Sequence, residues 1–294
     1  MKTLLAIDSS TASQYVVNAA AMRPWPSGTI FCVMSVVDMR LWDGLPELIE
    51  DAKHEAQSLV RGAVSALIQT GHEVFSEIQL GLPKKAIPEQ AKQWAADLVM
   101  VGSHGRNALT RFFLGSVAQA VLRTSPCSVE IVRPGPVPPS RSDGMKILLA
   151  TDGSEYSTKA VHSVANRPWP AKSQIRLLSV VQLLMPETQA TAPPFSSGYP
   201  PSLLEQVWKE ARTSAEDAVA DARNMLSATG LNVCEGEATP EGEPRAFILD
   251  EAKAWRADLI VLGSHGRHGL DRLLMGSVAE SVALHAHCSV EVVR

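Results

Sequence analysis

Short apolar runs and longer amphipathic segments alternate along the first half of the chain. Five of the apolar runs predict buried strands: KTLLAID, GTIFCVMSVVD, EVFSEIQLG, ADLVMVGS and CSVEIVR. Four longer segments between these runs predict helices: SQYVVNAAAMRP, residues 47–69, KKAIPEQAKQWA and residues 116–123. Because strands and helices strictly alternate, the pattern predicts an α/β fold, a doubly wound parallel sheet with helices on both faces.

The second half of the chain repeats the first. LLAIDSS, RPWP and SVV recur as LLATDGS, RPWP and SVV 144 residues later, and the offset grows to 161 at the repeated GSHGR. The extra residues lie mostly in a Pro/Ser-rich insertion at 183–202, which is either a flap over a site or a disordered loop. We therefore predict two tandem five-stranded domains, 1–134 and 145–294, joined by a Pro/Ser-rich linker at 135–144.

Composition and charge narrow the class of protein. The chain has 294 residues, 45% of them hydrophobic, and a net charge of −4, which argues against a general nucleic-acid binder. No apolar stretch approaches the roughly 20 residues that span a bilayer, and the N-terminal segment does not resemble a signal peptide. The four cysteines lack metal-binding spacing and are expected to be reduced and packed. We expect a cytoplasmic protein with neither a nucleic-acid nor a membrane partner.

One glycine-punctuated stretch follows the fourth strand of each domain, with the spacing G-x-x-G-x9-G-S. Its residues are Gly102, Gly105, Gly115 and Ser116 in the first copy, and Gly263, Gly266, Gly276 and Ser277 in the second. Ligands of such sheets bind beyond the carboxyl ends of the strands, and glycine permits close backbone contact there. The serine is suited to cap a helix whose N-terminus, with Arg106 or Arg267 beside it, favours an anion. We predict phosphate sites, although glycines also occupy such positions without any ligand.

The chain resembles a tandem universal stress protein, and the resemblance covers both halves nearly end to end. The spacing G-x-x-G-x9-G-S resembles the signature of that family's ATP-binding branch. The resemblance implies ATP or another adenine nucleotide, with Mg²⁺, across the carboxyl edge of each sheet. The phosphates of the nucleotide would lie on the glycine stretch. The aspartate after the first strand would lie near the ribose and the metal, and the end of the second strand would contact the adenine. The candidate contact residues are Asp8, Val37, Gly102, His104, Gly105, Arg106, Gly115, Ser116 and Val117, and then Asp152, Gly153, Val181, Gly263, His265, Gly266, Arg267, Gly276, Ser277 and Val278.

The two copies do not match the family's pattern equally. The second reads TDGS after its first strand, whereas the first reads IDSS and has Ser9 in place of glycine. A side chain there narrows a backbone approach if φ is positive. We therefore expect the second site to be the stronger one.

Several of these residues have a second interpretation. Asp8 and Asp152, the two candidate metal ligands, could instead cap the helix that follows. His104 and His265 could donate a hydrogen bond to a phosphate or could simply be solvated.

Two other patterns are interpreted as structural. The pairs His265/His268 and His285/His287 have chelating spacing, but no carboxylate or cysteine partner is evident nearby, so we do not expect metal there. The RPWP repeats are expected to mark a helix end and a packed tryptophan rather than a binding platform.

The preferred function is a nucleotide-binding regulatory protein of the stress response that acts with an unidentified protein partner. The alternatives are a scaffold with vestigial sites and a slow ATPase, for which the sequence offers no G-x-x-x-x-G-K-[ST] loop. The resemblance also implies that the final strands, CSVEIVR and CSVEVVR, join the two halves into a pseudo-twofold dimer, and further homodimerisation is expected.

Overall fold

The computed structural model describes residues 1–42, 46–105, 114–134, 144–181, 201–234, 237–239, 242–267 and 275–294. The predicted linker apart from Gly144, residues 183–200 of the predicted insertion, Arg106 and His268 lie outside the described residues.

The first domain contains the predicted alternation of strands and helices. Its elements are β1 (Lys2–Ala6), α1 (Thr11–Met22), β2 (Ile30–Val37), a 3-10 helix (Met39–Trp42), α2 (Pro46–Ile68), β3 (Glu73–Leu80), α3 (Pro83–Gln93), β4 (Leu98–Gly102), α4 (Ser116–Thr124) and β5 (Ser128–Val132). Helix α1 ends before Pro24, which cannot continue a helix.

The second domain repeats this order with one difference. Its elements are β6 (Lys146–Ala150), α5 (Glu155–Ala165), β7 (Gln174–Val180), α6 (Pro201–Ser227), β8 (Asn232–Val233), β9 (Glu237–Thr239), α7 (Pro244–Trp255), β10 (Leu259–Gly263), α8 (Ser277–His285) and β11 (Ser289–Val293). The third strand of this domain is described as two short pieces, β8 and β9, both paired with β7.

All described strands belong to one sheet, in the order β3-β2-β1-β4-β5-β11-β10-β6-β7-β8, with β9 also on β7. Every pair is parallel except β5 with β11, which run antiparallel and place Glu130 opposite Glu291. The predicted doubly wound domains and their joining through the final strands are therefore confirmed. In each domain the strand order reverses beside the first strand, so β1/β4 and β6/β10 are the switch points.

The two faces of the sheet are packed differently. On the face of α3, α4, α7 and α8, one apolar cluster runs through both domains and includes Val121 and Ile131 of the first, and Val282 and Val290 of the second. On the face of α1, α2, α5 and α6, each domain has its own cluster. The domains therefore share a core on one face only.

On that other face, charged side chains cover the seam between the domains. Glu130 and Glu291 are 0% and 1% exposed. Arg23 Nη1 lies 2.7 Å from Glu130 Oε1, and Arg167 Nη2 lies 2.6 Å from Glu291 Oε2. Both arginines belong to the RPWP repeats. The repeat thus supplies a buried ion pair that the sequence interpretation missed.

The tryptophans of the RPWP repeats are packed against the protein, as the sequence predicts. Trp25 is buried and its Nε1 donates to the carbonyl of Ala20 at 2.7 Å, while Trp169 Nε1 donates to the carbonyl of Val164 at 2.9 Å. Each tryptophan therefore packs against the helix that precedes it.

The final arginine of each half crosses the seam. Arg133 Nη2 donates to the carbonyls of Ala283 and Leu284 at 2.8 and 2.9 Å, and Arg294 Nη2 donates to that of Leu122 at 2.7 Å. Carbonyls in the last turn of a helix have no partner within it, and a cation is favourable there. Each domain therefore stabilises the last helix of the other.

Candidate functional site

A cavity of about 720 Å³ opens at the carboxyl edge of the second domain. Its floor is formed by the ends of β6, β7 and β10, and helix α6 forms one wall. The candidate residues that line it are Asp152, Val181, Gly263, His265, Gly266, Arg267, Gly276, Ser277 and Val278. The structure thus brings together every residue proposed for the second site except Gly153, whose Cβ position lies 2.8 Å from Arg267 Nη2.

Asp152 joins the loop after β6 to the glycine stretch. Its Oδ1 accepts from the amide of Ser154 and its Oδ2 accepts from the amide of Arg267, both at 3.0 Å. Burial by itself raises the pKa of Asp152, but the hydrogen bonds from Ser154, Ser157 and the Arg267 amide outweigh it and leave the pKa below its ordinary value. The carboxylate is therefore ionised at neutral pH.

The cap of α5 is Ser154, whose Oγ accepts from the amide of Ser157 at 3.3 Å. Asp152 therefore does not cap this helix, and its carboxylate serves to hold the two loops together.

Two glycines near Asp152 lie close to charged side chains. A Cβ on Gly266 would lie 2.8 Å from Asp152 Oδ2. Gly153 has a φ of +74°, and a Cβ there would lie 2.8 Å from Arg267 Nη2. Gly153 favours glycine because its φ is positive, and a side chain on Gly266 would displace the carboxylate of Asp152.

Gly263 is required by packing rather than by a ligand. A Cβ there would lie 2.5 Å from the carbonyl carbon of Tyr156 and 2.6 Å from the nitrogen of Ser157, both in the backbone of α5. Gly102 faces α1 in the same way, with Ala12 Cβ 2.8 Å from its Cβ position.

The expected serine caps are wrong, because the cap positions of α8 and α4 are held by Gly276 and Gly115. The amide of Gly276 donates to the carbonyl of Ser264 at 2.9 Å, and a Cβ on Gly276 would lie 3.0 Å from that oxygen. The chain passes too close for a side chain at the cap. Ser277 becomes the first helical residue, and its amide belongs to the turn whose N–H groups have no intrahelical acceptor.

His265 is 6% exposed, so it is not solvated. Its ring lies 4.9 Å from that of Tyr156, and its Nδ1 is 3.1 Å from Ser264 Oγ. His104 is half-buried, with Nδ1 2.8 Å from Ser103 Oγ. Both rings are held by the serine that precedes them.

The cysteines lie outside this site and are not oxidised. The four cysteines are free, and burial raises the pKa of Cys288 to about 12 and that of Cys32 to about 11. Within the described ranges, no group of three or more His, Cys, Asp or Glu side chains is arranged to hold a metal ion.

The first domain has a related but different loop. Asp8 Oδ1 accepts from the amide of Ser10 at 3.0 Å and from Ser13 Oγ at 2.8 Å, and its Oδ2 lies 3.3 Å from the Cβ position of Gly105. Ser9 does not have a positive φ, unlike Gly153. The strand-end loops of the two domains therefore differ in backbone conformation.

Other candidates of the first domain lie at the carboxyl ends of strands or at the start of α4. Val37 ends β2 and is buried, Gly102 ends β4, and Ser116 and Val117 begin α4.

Helix α6 contributes residues to the cavity that no motif marked. Val207, Glu210, Ala211, Ser214 and Ala215 line its wall. The sequence predicts the counterpart of α6 in the first domain, at residues 47–69, only as a helix. Only the tertiary position of α6 over the strand ends identifies these residues.

Two like doubly wound domains, each with a glycine stretch at its switch point, define a tandem α/β protein with a ligand-sized cavity. The family model for the universal stress protein family matches residues 1–133 and 145–294. The chain belongs to the universal stress protein family, with two copies in tandem. None of the described helices is long and apolar enough to cross a membrane.

Individual relatives agree with this assignment. A Staphylococcus epidermidis protein named for the same family is 30% identical over 141 residues, which cover 46% of this chain and 85% of that protein. The match to the crystal structure of a universal stress protein from Archaeoglobus fulgidus covers 100% of this chain and 96% of that protein, with a TM-score of 0.66 and 20% identity. The match to the structure of a Pseudomonas aeruginosa protein of unknown function covers 99% of this chain and 92% of that protein, with a TM-score of 0.59 and 19% identity. These two structures are similar to this chain in fold.

Proposed function

We propose that the second domain binds an adenine nucleotide, ATP with Mg²⁺, and that the protein is a nucleotide-dependent regulatory switch in the cytoplasmic stress response. The cavity at the carboxyl edge of β6, β7 and β10 carries this proposal. Its volume of about 720 Å³ lies within the range of small-molecule sites, about 300–1,000 Å³.

The chemistry of the cavity walls fits the parts of such a nucleotide. Leu178, Val181 and Ile248 supply an apolar region suited to a base. The first amides of α8 and the guanidinium of Arg267 suit phosphates. Mg²⁺ bound with nucleotide uses one or two protein carboxylates, and the ionised Asp152 is one that lines the cavity.

The electrostatics of Asp152 favour binding over hydrolysis. A carboxylate whose pKa lies below its ordinary value is a weak general base at neutral pH. Both of its oxygens already accept hydrogen bonds from the loops. We therefore place ATP here as a ligand that changes conformation or partner affinity, and a slow ATPase remains the second candidate.

Calorimetric titration of nucleotide-stripped protein tests the proposal, with ATP and Mg²⁺ as ligand and AMP and GTP as controls. We expect saturable ATP binding that Gly276→Val removes, because the new side chain would meet the carbonyl of Ser264. The matched change Gly115→Val in the first domain should leave the stronger binding event intact. Thermal denaturation of both variants checks that they fold.

The outcomes separate the candidate functions. No heat and no thermal stabilisation at millimolar ATP would leave a scaffold with vestigial sites. Binding with steady release of phosphate that depends on Asp152 would favour the ATPase. Binding without turnover, with a change in sedimentation or in a captured protein partner, is the result that a switch predicts.

A further inference from the structure

The side chain of Arg267 crosses from the glycine stretch to helix α6 at the wall of the cavity. Its Nη1 donates to Ser214 Oγ, and its Nη2 lies 3.4 Å from the carbonyl oxygen of Ser214. On the way it passes over Gly153, whose Cβ position is 2.8 Å from Nη2 and 3.3 Å from Ala218 Cβ. Three small residues therefore form the passage through which this arginine reaches α6.

The partner of Arg267 on α6 leaves its charge available. A hydroxyl and a carbonyl accept hydrogen bonds without neutralising a guanidinium. The guanidinium has five N–H donors, so several remain for a further acceptor. Arginine and phosphate oxygens form strong charge-assisted hydrogen bonds, and Arg267 lines the cavity.

Buried residues show how the helices of the two domains correspond. Leu67 of α2 and Leu226 of α6 are both 0% exposed, and they are 159 residues apart. Ala63 and Ala222, also 159 apart, are both buried. The two helices therefore pack in the same register against their sheets.

In that register the first domain changes all three residues of the passage. Ser9, Glu55 and Leu59 stand where the second domain has Gly153, Ser214 and Ala218. Each replacement is larger, and Glu55 adds a negative charge where Ser214 accepts from the guanidinium. A carboxylate there would pair with the arginine and repel a phosphate.

We propose that Arg267, positioned by Ser214, selects for phosphates in the second domain and makes it the tight polyphosphate site of the chain. The first domain, with Ser9, Glu55 and Leu59, binds a nucleotide more weakly. This inference rests on the proposed nucleotide-binding function and adds which residue discriminates by phosphate and why the two domains differ.

Ser214→Glu introduces the first domain's residue into the second domain and tests this directly. We expect ATP affinity to fall by about tenfold or more, which corresponds to about 1.4 kcal/mol, and adenosine affinity to change by less than about twofold. AMP should lie between them. The matched control is Thr213→Glu, which adds the same charge one residue away at an exposed position that does not line the cavity.

The titrations distinguish failure of the proposed function from failure of the role assigned to Arg267 and Ser214. If the unaltered protein does not bind ATP, the proposed function fails. If it binds ATP and Ser214→Glu behaves like Thr213→Glu, the role of Arg267 and Ser214 is wrong while the proposed function stands. Equal losses for ATP and adenosine would also overturn it, because cavity shape rather than phosphate charge would then explain the effect.

Two further measurements complete the test. Ser214→Ala removes only the hydrogen bond, and we expect about a threefold loss for ATP and none for adenosine, which serves if the glutamate variant does not fold. The stoichiometry of tight binding should be one ATP per chain. Two equal tight sites would contradict the proposed difference between the domains.

Discussion

Burial and hydrogen bonding have opposite effects on the charge of Asp152. Burial disfavours its ionised form, while the groups of three residues, Ser154, Ser157 and Arg267, that donate to the carboxylate favour it more strongly. The same hydrogen bonds fix the glycine stretch against the loop after β6. At the residue scale, the site is therefore organised by a carboxylate before any ligand arrives.

We predict that Asp152→Asn lowers the free energy of unfolding by about 1–2 kcal/mol at pH 7, because hydrogen bonds to a charged acceptor are weakened. A carboxyl whose folded-state pKa is depressed stabilises the fold above its unfolded-state pKa, about 3.9. That contribution is lost as the pH falls through the folded-state pKa. The difference between the two proteins should therefore shrink from about pH 5 downward in urea denaturation measured at several pH values.

The control for this prediction is Asp221→Asn, on the exposed side of α6. It should change stability by less than about 0.5 kcal/mol at pH 7. A difference between the unaltered protein and Asp152→Asn that stays constant down to pH 3 would show that the carboxylate's charge is not the cause.

At the scale of elements, α5 and β10 meet with no room for a side chain between them. Gly263 ends the strand directly against the backbone of Tyr156 and Ser157. Close approach of the helix places its N-terminal turn, and the loop that carries Asp152, at the edge of the cavity. Packing of the first helix against the fourth strand therefore positions the site.

We predict that Gly263→Ala destabilises the protein by about 1–3 kcal/mol, because the added methyl group pushes α5 away from β10. Gly62→Ala is the matched control in helix α2, where nothing lies within 4 Å of the new Cβ. It should stabilise by about 0.5–1 kcal/mol through helix propensity. Denaturation midpoints of the two variants measure both changes, and a Gly263→Ala protein as stable as the parent would contradict the packing argument.

At the scale of the whole molecule, the two domains are joined by the sheet, by a shared core and by two arginines. The β5–β11 pair continues the sheet, and the shared apolar cluster covers one face. On the other face, each domain pairs its own buried glutamate beside the seam with its own arginine, in Arg23–Glu130 and Arg167–Glu291. Arg133 and Arg294 add contacts to the opposite domain's last helix. The tandem chain thus folds as one continuous sheet.

We predict that Arg167→Met lowers the free energy of unfolding by about 3–5 kcal/mol, because it leaves Glu291 charged and buried without its partner. Adding Glu291→Gln in the same chain should recover a large part of that loss. Urea denaturation of both single variants and of the double variant gives the coupling energy. Additive losses in the double variant would mean that the two side chains do not act as a pair.

The sequence by itself determined the elements and their order. The period of the apolar positions separates strands such as Leu259–Gly263 from helices, and strict alternation of the two leads to parallel strands covered on both faces. The repeat then requires two like domains, and the spacing of the glycines places both stretches at the carboxyl edge. These features are local in the chain, so local patterns contain them.

Only the tertiary structure decided what each site residue contacts. Gly263 proved to be a packing glycine, Gly276 rather than Ser277 caps its helix, and the arginine of RPWP reaches a glutamate on the last strand of its own domain. Ser214 entered the site only because α6 lies over the strand ends. Contacts between residues more than 50 positions apart depend on how the elements pack, and no spacing within one segment of the chain specifies that packing.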